Sequence, residues 1–306
     1  MPHDLTRRDV LRLTTATLTA ASLPTMTTLA RTEQKQPRPP RRIRKAVKLG
    51  MVAGDMALLE KFRLLKDLGF DGVELDSPNN FDADEVLRAR DDAQLPIHGV
   101  VDSAHWHKPL SHPDADVRAE GLGALTTAVG DAKRYGASTV LLVPAIVSKT
   151  VSYDDAYMRS QAEIRKALPL AEDLGVKIAI ENVWNHFLLS PLEAARYIDE
   201  FESPAIGWYF DVGNIVTYGW PEQWVRILAH RILKLDIKEY SRTKRDQEGL
   251  WKGFGVKLLE GDCDWPAIMA ALDDIGYNGW ATAEVAGGDA ERLREIAERM
   301  DRIFAR

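Results

Sequence analysis

From Val47 onward one pattern recurs through the chain: a short strand-like run, a few polar residues, an amphipathic helix, a glycine, and the next strand. The strand-like runs are Val47 to Val52, Gly72 to Leu75, Ile97 to Val101, Thr139 to Val143, Val176 to Val183, Ile206 to Val212, Ile232 to Tyr240 and Trp280 to Val285. Between them lie apolar residues at helical spacing, such as Leu58, Leu59, Phe62, Leu65 and Leu68, or Ile164, Leu168, Ala171 and Leu174. Eight β/α units in order predict an α/β chain folded as a single closed (β/α)8 TIM barrel. An open doubly wound sheet is the alternative, but no Gly-x-Gly-x-x-Gly follows the first strand. Two junctions repeat each other, Gly69-Phe-Asp-Gly-Val-Glu74 and Gly276-Tyr-Asn-Gly-Trp280. Each is a helix stop feeding a strand that ends in a glutamate.

The first 45 residues do not share this pattern. Thr6-Arg7-Arg8-Asp9-Val10-Leu11-Arg12 precedes a mildly apolar run from Leu13 to Leu23 and a small-residue end near Ala30. That order predicts a twin-arginine export signal over residues 1–30, too short and polar to be a membrane span. Residues 31–45, with Pro37, Pro39 and Pro40 among several arginines, read as an extended linker, which leaves 46–306 for the barrel. The expected partner is the Tat export machinery and the expected location is periplasmic or otherwise extracytoplasmic. Because that route carries folded proteins, it suits an enzyme that loads an ion before export. Cys263 is the only cysteine, so no intrachain disulfide forms. A net charge of -6 argues against nucleic acid or an anionic membrane as partner.

The strands of a parallel barrel are packed on both faces and should be apolar throughout. The run Ile232-Leu-Lys-Leu-Asp-Ile-Lys-Glu-Tyr240 is not. Its period of two places Leu233, Leu235 and Ile237 toward the helices and Lys234, Asp236 and Lys238 into the barrel. Neighbouring strands behave alike: Glu181, Asp211 and Glu284 each close a strand, so with Asp236 four consecutive strands bring a carboxylate toward the C-terminal mouth. Four facing carboxylates raise one another's pKa unless a positive charge sits among them. A divalent cation with hard oxygen ligands satisfies this requirement, as manganese, magnesium or calcium. Internal salt bridges to Lys177, Lys234 and Lys238, which share the inward parity, are the competing explanation.

Several segments together resemble the xylose-isomerase-like barrel family of sugar isomerases and epimerases, with its tagatose/psicose 3-epimerases and hydroxypyruvate isomerases. The likeness covers the whole chain after the linker. Its carriers are Leu110–Arg118, Ile180-Glu181-Asn182, Phe210-Asp211-Val-Gly-Asn214, Leu235–Tyr240, Glu260–Trp265 and Gly276–Glu284. The resemblance implies that Glu181, Asp211 and Glu284 are metal ligands and that Glu181 and Glu284 also move protons on opposite faces of a sugar. It also implies a homo-oligomer. Two positions depart from the family: Asp236 stands where the epimerases have a ligand histidine, and Asn214 where they have a substrate-contacting one. The first change makes an all-oxygen site that favours a hard ion over zinc, with manganese expected first and magnesium or cobalt as alternatives.

The expected chemistry is proton removal beside a ketose carbonyl to give an enediolate, with Glu181 and Glu284 as base and acid and Asp211 and Asp236 holding the ion. The proton can return to the other face (epimerisation) or to the neighbouring carbon (isomerisation), or a β-leaving group can depart, as in cleavage of 3-keto-glycosides by a lyase or hydrolase. A silent sugar-binding barrel is a further alternative. Substrate contacts are expected from His105, His107, Trp184, Lys238, Asn214 and Glu74, with His98 and Trp106 on the same mouth loop; Arg118 reads equally as a helix-surface residue. An exported enzyme lacking a glycine-rich phosphate cradle is expected to take a free sugar or glycoside. The basic run Ser241-Arg-Thr-Lys-Arg245 reads as a solvated surface.

Overall fold

The computed structural model describes residues 42–306; the expected export signal and most of the expected linker lie outside them. Eight parallel strands close into a barrel in chain order: β1 (Arg44–Lys48), β2 (Gly72–Ser77), β3 (Ile97–Asp102), β4 (Thr139–Leu142), β5 (Lys177–Glu181), β6 (Ile206–Asp211), β7 (Ile232–Ile237) and β8 (Trp280–Ala283). The ring is completed where β8 pairs with β1, Ala283 beside Val47. Pairing begins at Arg44, and the apolar run after Lys48 leaves the sheet as a 3-10 turn, Leu49–Met51. Among the described residues no helix is long and apolar enough to cross a membrane.

The two repeated junctions share one geometry. Gly69 and Gly276 both adopt a left-handed backbone, φ 81° and 69°. In each case the next residue's N–H reaches back to the last helical turn, Phe70 to Leu65 O and Tyr277 to Leu272 O. Such a stop satisfies the orphan carbonyls of the helix and turns the chain toward the sheet. Gly175 ends the helix Tyr153–Leu174 in the same way, immediately before β5.

The main apolar core lies between barrel and helices and includes Val47, Val73, Leu235 and Ile237. At β7 the strict alternation fails. Trp208 pairs with Ile232 but Tyr209 pairs with Lys234, so Leu233 is an extra residue at a bulge. Leu233 therefore joins a separate small cluster with Leu141, Ala179 and Tyr209 instead of facing the helices. Gly207 makes room for it, because a Cβ there would lie 2.6 Å from Leu233 Cγ.

Inside the barrel, below the mouth, lies a polar layer. Tyr209 Oη donates to Glu74 Oε1 at 3.1 Å and shares a hydrogen bond with Thr282 Oγ1 at 2.8 Å. His98 stacks on Trp280, bonds Thr282 through Nε2, and receives the Lys234 ammonium at Nδ1, 2.9 Å. His98 is thus a strand residue of the barrel interior and not part of a mouth loop; burial pushes its pKa well down, so it is neutral.

Candidate active site

The closed barrel brings the four strand-end acids together. Glu181 ends β5, Asp211 ends β6, Asp236 sits beside Asp211 in β7, and Glu284 follows β8 directly. Each offers a carboxylate oxygen, and these oxygens lie within 4.8 Å of one another. Asp211 and Asp236 are fully buried, Glu181 nearly so, and the Glu284 side chain is 30% exposed.

Local structure fixes this geometry. Asp211 caps the short helix Val212–Val216, accepting the Asn214 N–H at Oδ1, 2.7 Å. Asn182 ties β5 to β6: its amide donates to Asp211 O, while its oxygen accepts from the Asp211 N–H and the Trp208 indole. Buried Glu239 accepts from the backbone of Leu259 and Cys263 and from the Trp265 indole, which pins the Glu260–Trp265 segment to the end of β7.

Two lysines enter the cluster. The Lys48 ammonium lies 3.1 Å from Asp236 and 3.0 Å from Glu284; Lys238 lies 2.9 Å from Asp211 and 2.7 Å from Glu284. The salt-bridge explanation therefore holds for Lys238. Lys234 instead points down to His98, and Lys177 is exposed. Even so, four carboxylates against two ammoniums leave a formal excess of negative charge that one divalent cation offsets. Hydrogen bonding is also incomplete: Glu181 Oε1 and Asp236 Oδ1 are buried without a partner, while Asp211 Oδ2 and Glu284 Oε2 face the Lys238 ammonium. Two unpartnered carboxylate oxygens within a set of four converging acids fit a small oxygen-ligated cation.

Burial pushes Glu181 and Asp236 well up and Asp211 to about 7, the last in spite of Lys238. Glu284 behaves oppositely: burial would raise it, but Lys238 and Lys48 hold it well below the usual carboxylate range. The two glutamates thus sit in environments that favour opposite protonation states.

Above the acids a cavity of about 540 Å³ opens at the C-terminal mouth. Its walls include the predicted His105, Trp184, Lys238 and Asn214, together with Trp106. Buried His105 accepts the Val143 N–H at Nδ1, 3.3 Å, and burial pushes its pKa to about 3. The neutral ring therefore carries its proton on Nε2 as a donor. Trp184 is oriented by donating to Asn214 O at 2.9 Å. Two expected substrate contacts are not on the wall: Glu74 belongs to the polar layer below, and His107 is exposed outside the cavity.

Other residues belong to the cavity without having been singled out by sequence. Lys48 closes β1, and only barrel closure brings it to β8. Asp102 ends β3, where the rule that found the other acids applies equally; burial pushes it to about 6. Trp251 and Phe254, on the 3-10 turn Leu250–Phe254, complete an aromatic rim with Trp184. Arg118 is structural: it donates to the carbonyls of His112 and Pro113 and pairs with Glu163 at 3.3 Å. The basic run Ser241–Arg245 is more than a solvated surface. Arg242 binds the carbonyls of Val216 and Gly219, and Arg245 binds that of Thr217, which clamps the helix Arg242–Glu248 to the segment after β6.

Known proteins bear the same architecture. A family model described as xylose isomerase-like TIM barrel matches residues 62–304. L-ribulose-5-phosphate 3-epimerase UlaE of Salmonella paratyphi C (strain RKS4594) is 26% identical over 262 residues, 81% of this chain and 89% of that protein. The D-allulose 3-epimerase from Methylomonas sp., solved in complex with D-allulose, superposes with a TM-score of 0.70 at 19% identity, covering 86% of this chain and 97% of its own. The 3-keto-D-glucoside 4-epimerase from E. coli gives 0.70 at 17% identity, covering 87% of this chain and 100% of its own. With a family match over most of the barrel, the chain belongs to the xylose isomerase-like TIM barrel family.

Proposed function

We propose that the protein is a divalent-metal-dependent isomerase or epimerase of a non-phosphorylated keto-sugar, working through an enediolate. The observation that carries this reading is the convergence of four acids, three of them buried and Glu284 partly exposed, with Glu181 Oε1 and Asp236 Oδ1 lacking any partner, beneath a sugar-sized cavity. Glu181, Asp211, Asp236 and Glu284 would hold the cation, with manganese favoured by the all-oxygen ligand set and magnesium or cobalt as substitutes. When bound, it supplies Lewis acidity that polarises a ketose carbonyl and acidifies the neighbouring C–H.

Glu284, kept ionised by Lys238 and Lys48, is the group suited to remove that proton. Glu181, pushed up by burial, is suited to return one. β6 and β7 separate their strands, so the two glutamates approach a sugar lying over Asp211 and Asp236 from different sides. His105 and Asn214 line the same space; the His105 Nε2–H is a donor for a sugar hydroxyl, while the Asn214 amide donates to Asn182 O and accepts from Lys238. Asp76 and Asp102 add acids to the wall, and both lysines there already face carboxylates. A phosphate would find no uncommitted ammonium among the residues lining this cavity, which supports a neutral sugar. The signal-like residues Thr6–Arg12 and the run that follows support export through the Tat route to the periplasm.

The test is to incubate the manganese-loaded protein with free ketoses in heavy water. Deuterium should enter at the carbon beside the carbonyl, and Glu284→Gln should slow its entry about 1000-fold. No exchange with any ketose or 3-keto-glucoside would refute the reading. Release of a free aglycone from a 3-keto-glucoside would instead favour the second reading, a lyase, for which the open aromatic mouth leaves room.

A further inference from the structure

A second concavity adjoins the catalytic cavity. This groove, about 380 Å³, runs along the loop after β5 and shares Val183, Trp184 and Trp251 with the cavity wall. Beyond those three it is bounded by His186, Leu189, Tyr218 and Leu250. No Asp, Glu, Lys or Arg lines it. Its outer residues are large and apolar yet open to solvent: Tyr218 is 45% exposed, Leu250 49%, Leu189 54% and Trp251 69%. Scattered apolar side chains are ordinary on a surface, but a contiguous set beside a reaction site marks a contact region.

The groove is built. One wall, Val216–Gly219, is held by the guanidinium groups of Arg242 and Arg245. Leu250 is fixed by the Tyr240 hydroxyl, which donates to its carbonyl at 2.8 Å. The floor, Trp184, is locked by its bond to Asn214 O and lies 4.8 Å from the Trp251 ring. On the remaining wall His186 and Leu188 both adopt left-handed backbone, φ 59° and 53°, a conformation that side chains other than glycine rarely hold without support. Asn185 supplies that support, donating to Ala145 O and accepting the Phe187 N–H, and Leu188 N–H is held by the Tyr153 hydroxyl.

We propose that this groove is a subsite for an uncharged aromatic aglycone, so that the enzyme's substrate is an aryl glycoside of a keto-sugar, its ketone on a ring carbon other than the anomeric one, whose sugar ring occupies the catalytic cavity. The proposal rests on the keto-sugar reading of that cavity and adds to it the substrate class. Continuity through Trp184 selects this occupant: the indole is common to both spaces, so a sugar over the acids directs its anomeric substituent along a wall already lined by aromatic rings. Rings stack on flat apolar ligands, and the absence of charged walls disfavours a phosphate or carboxylate there.

The proposal is tested by titrating the manganese-loaded protein with phenyl and methyl D-glucosides, each anomer separately, and following binding by calorimetry. Neither probe is oxidised, so turnover is not required. The phenyl glucoside of one anomer should bind at least tenfold more tightly than its methyl counterpart. Tyr218→Ala and Leu250→Ala, both at exposed positions, should each reduce that preference without altering the methyl glucoside's affinity. Equal affinities, no measurable binding of either phenyl glucoside, or a preference that survives both substitutions would overturn the proposal. A phenyl preference without deuterium exchange on any keto-sugar would leave the subsite standing and remove the isomerase reading; the converse would do the reverse.

Discussion

Two polar layers lie one above the other inside this barrel, and they differ in how their charges balance. In the lower layer Glu74 accepts from Tyr209 at Oε1 and leaves Oε2 buried without a partner, the Lys48 and Lys234 charges oppose the burial that raises it, and His98 is kept neutral by burial. One acid meets one base, and aromatic Trp280 closes the layer against His98. In the upper layer four acids meet two lysines, and Glu181 and Asp236 each keep a buried oxygen without a partner. Both layers bear the desolvation cost of burying charge. The lower one sets a single acid against a single base; the upper one, with four acids against two lysines, balances only when something positive is added. A polar interior is therefore not by itself evidence of a site, whereas an unbalanced one is.

Disturbing the balanced layer should cost stability and leave ion binding alone. Lys234→Met removes the base facing Glu74, so unfolding in urea should show a loss of about 3 kcal/mol, with metal stoichiometry unchanged. Loss of the metal in that variant would show that the layers are not separable. Proton competition should mark the unbalanced layer. Burial places Asp211 at about 7 and pushes Glu181 and Asp236 well up as well, and a cation binds the deprotonated forms, so affinity should rise with pH through that value. Below it the change should be at least about tenfold per pH unit, that factor applying to each proton displaced; a flat profile between pH 5 and 7 would exclude Asp211 as a ligand. The smallest effect is expected at the lysines. Lys238→Met removes an ammonium that competes for Asp211 and Glu284, so manganese should bind about tenfold more tightly. Weaker binding would mean that Lys238 shapes the site more than it opposes the ion.

The barrel was legible because its evidence is repetitive: eight strand runs, and helix stops at Gly69, Gly175 and Gly276, all point to one closed sheet. Strand-end acids were legible for a related reason, since period and strand direction alone place Glu181, Asp211, Asp236 and Glu284 at one mouth. Lys48 was not, because β1 neighbours β8 only after closure, and nothing local announces that contact. The bulge that turns Leu233 inward was hidden as well, for it depends on the register between β6 and β7. Glu74 shows the limit of parity. It points inward as expected, but depth along the strand decides whether an inward residue meets solvent or Tyr209. The clamp formed by Arg242 and Arg245 depends on carbonyls more than twenty residues away in the chain, which no charge pattern reveals.

The central claim is that the upper layer holds a divalent cation. Calorimetric titration of metal-stripped protein with manganese, beside Asp236→Ala, tests it most directly. One ion per chain in the wild type, with binding lost or weakened at least 100-fold in the variant, is the predicted result. A wild type that binds no ion would contradict the account, and would leave Lys48 and Lys238 as the charges that complete the cluster.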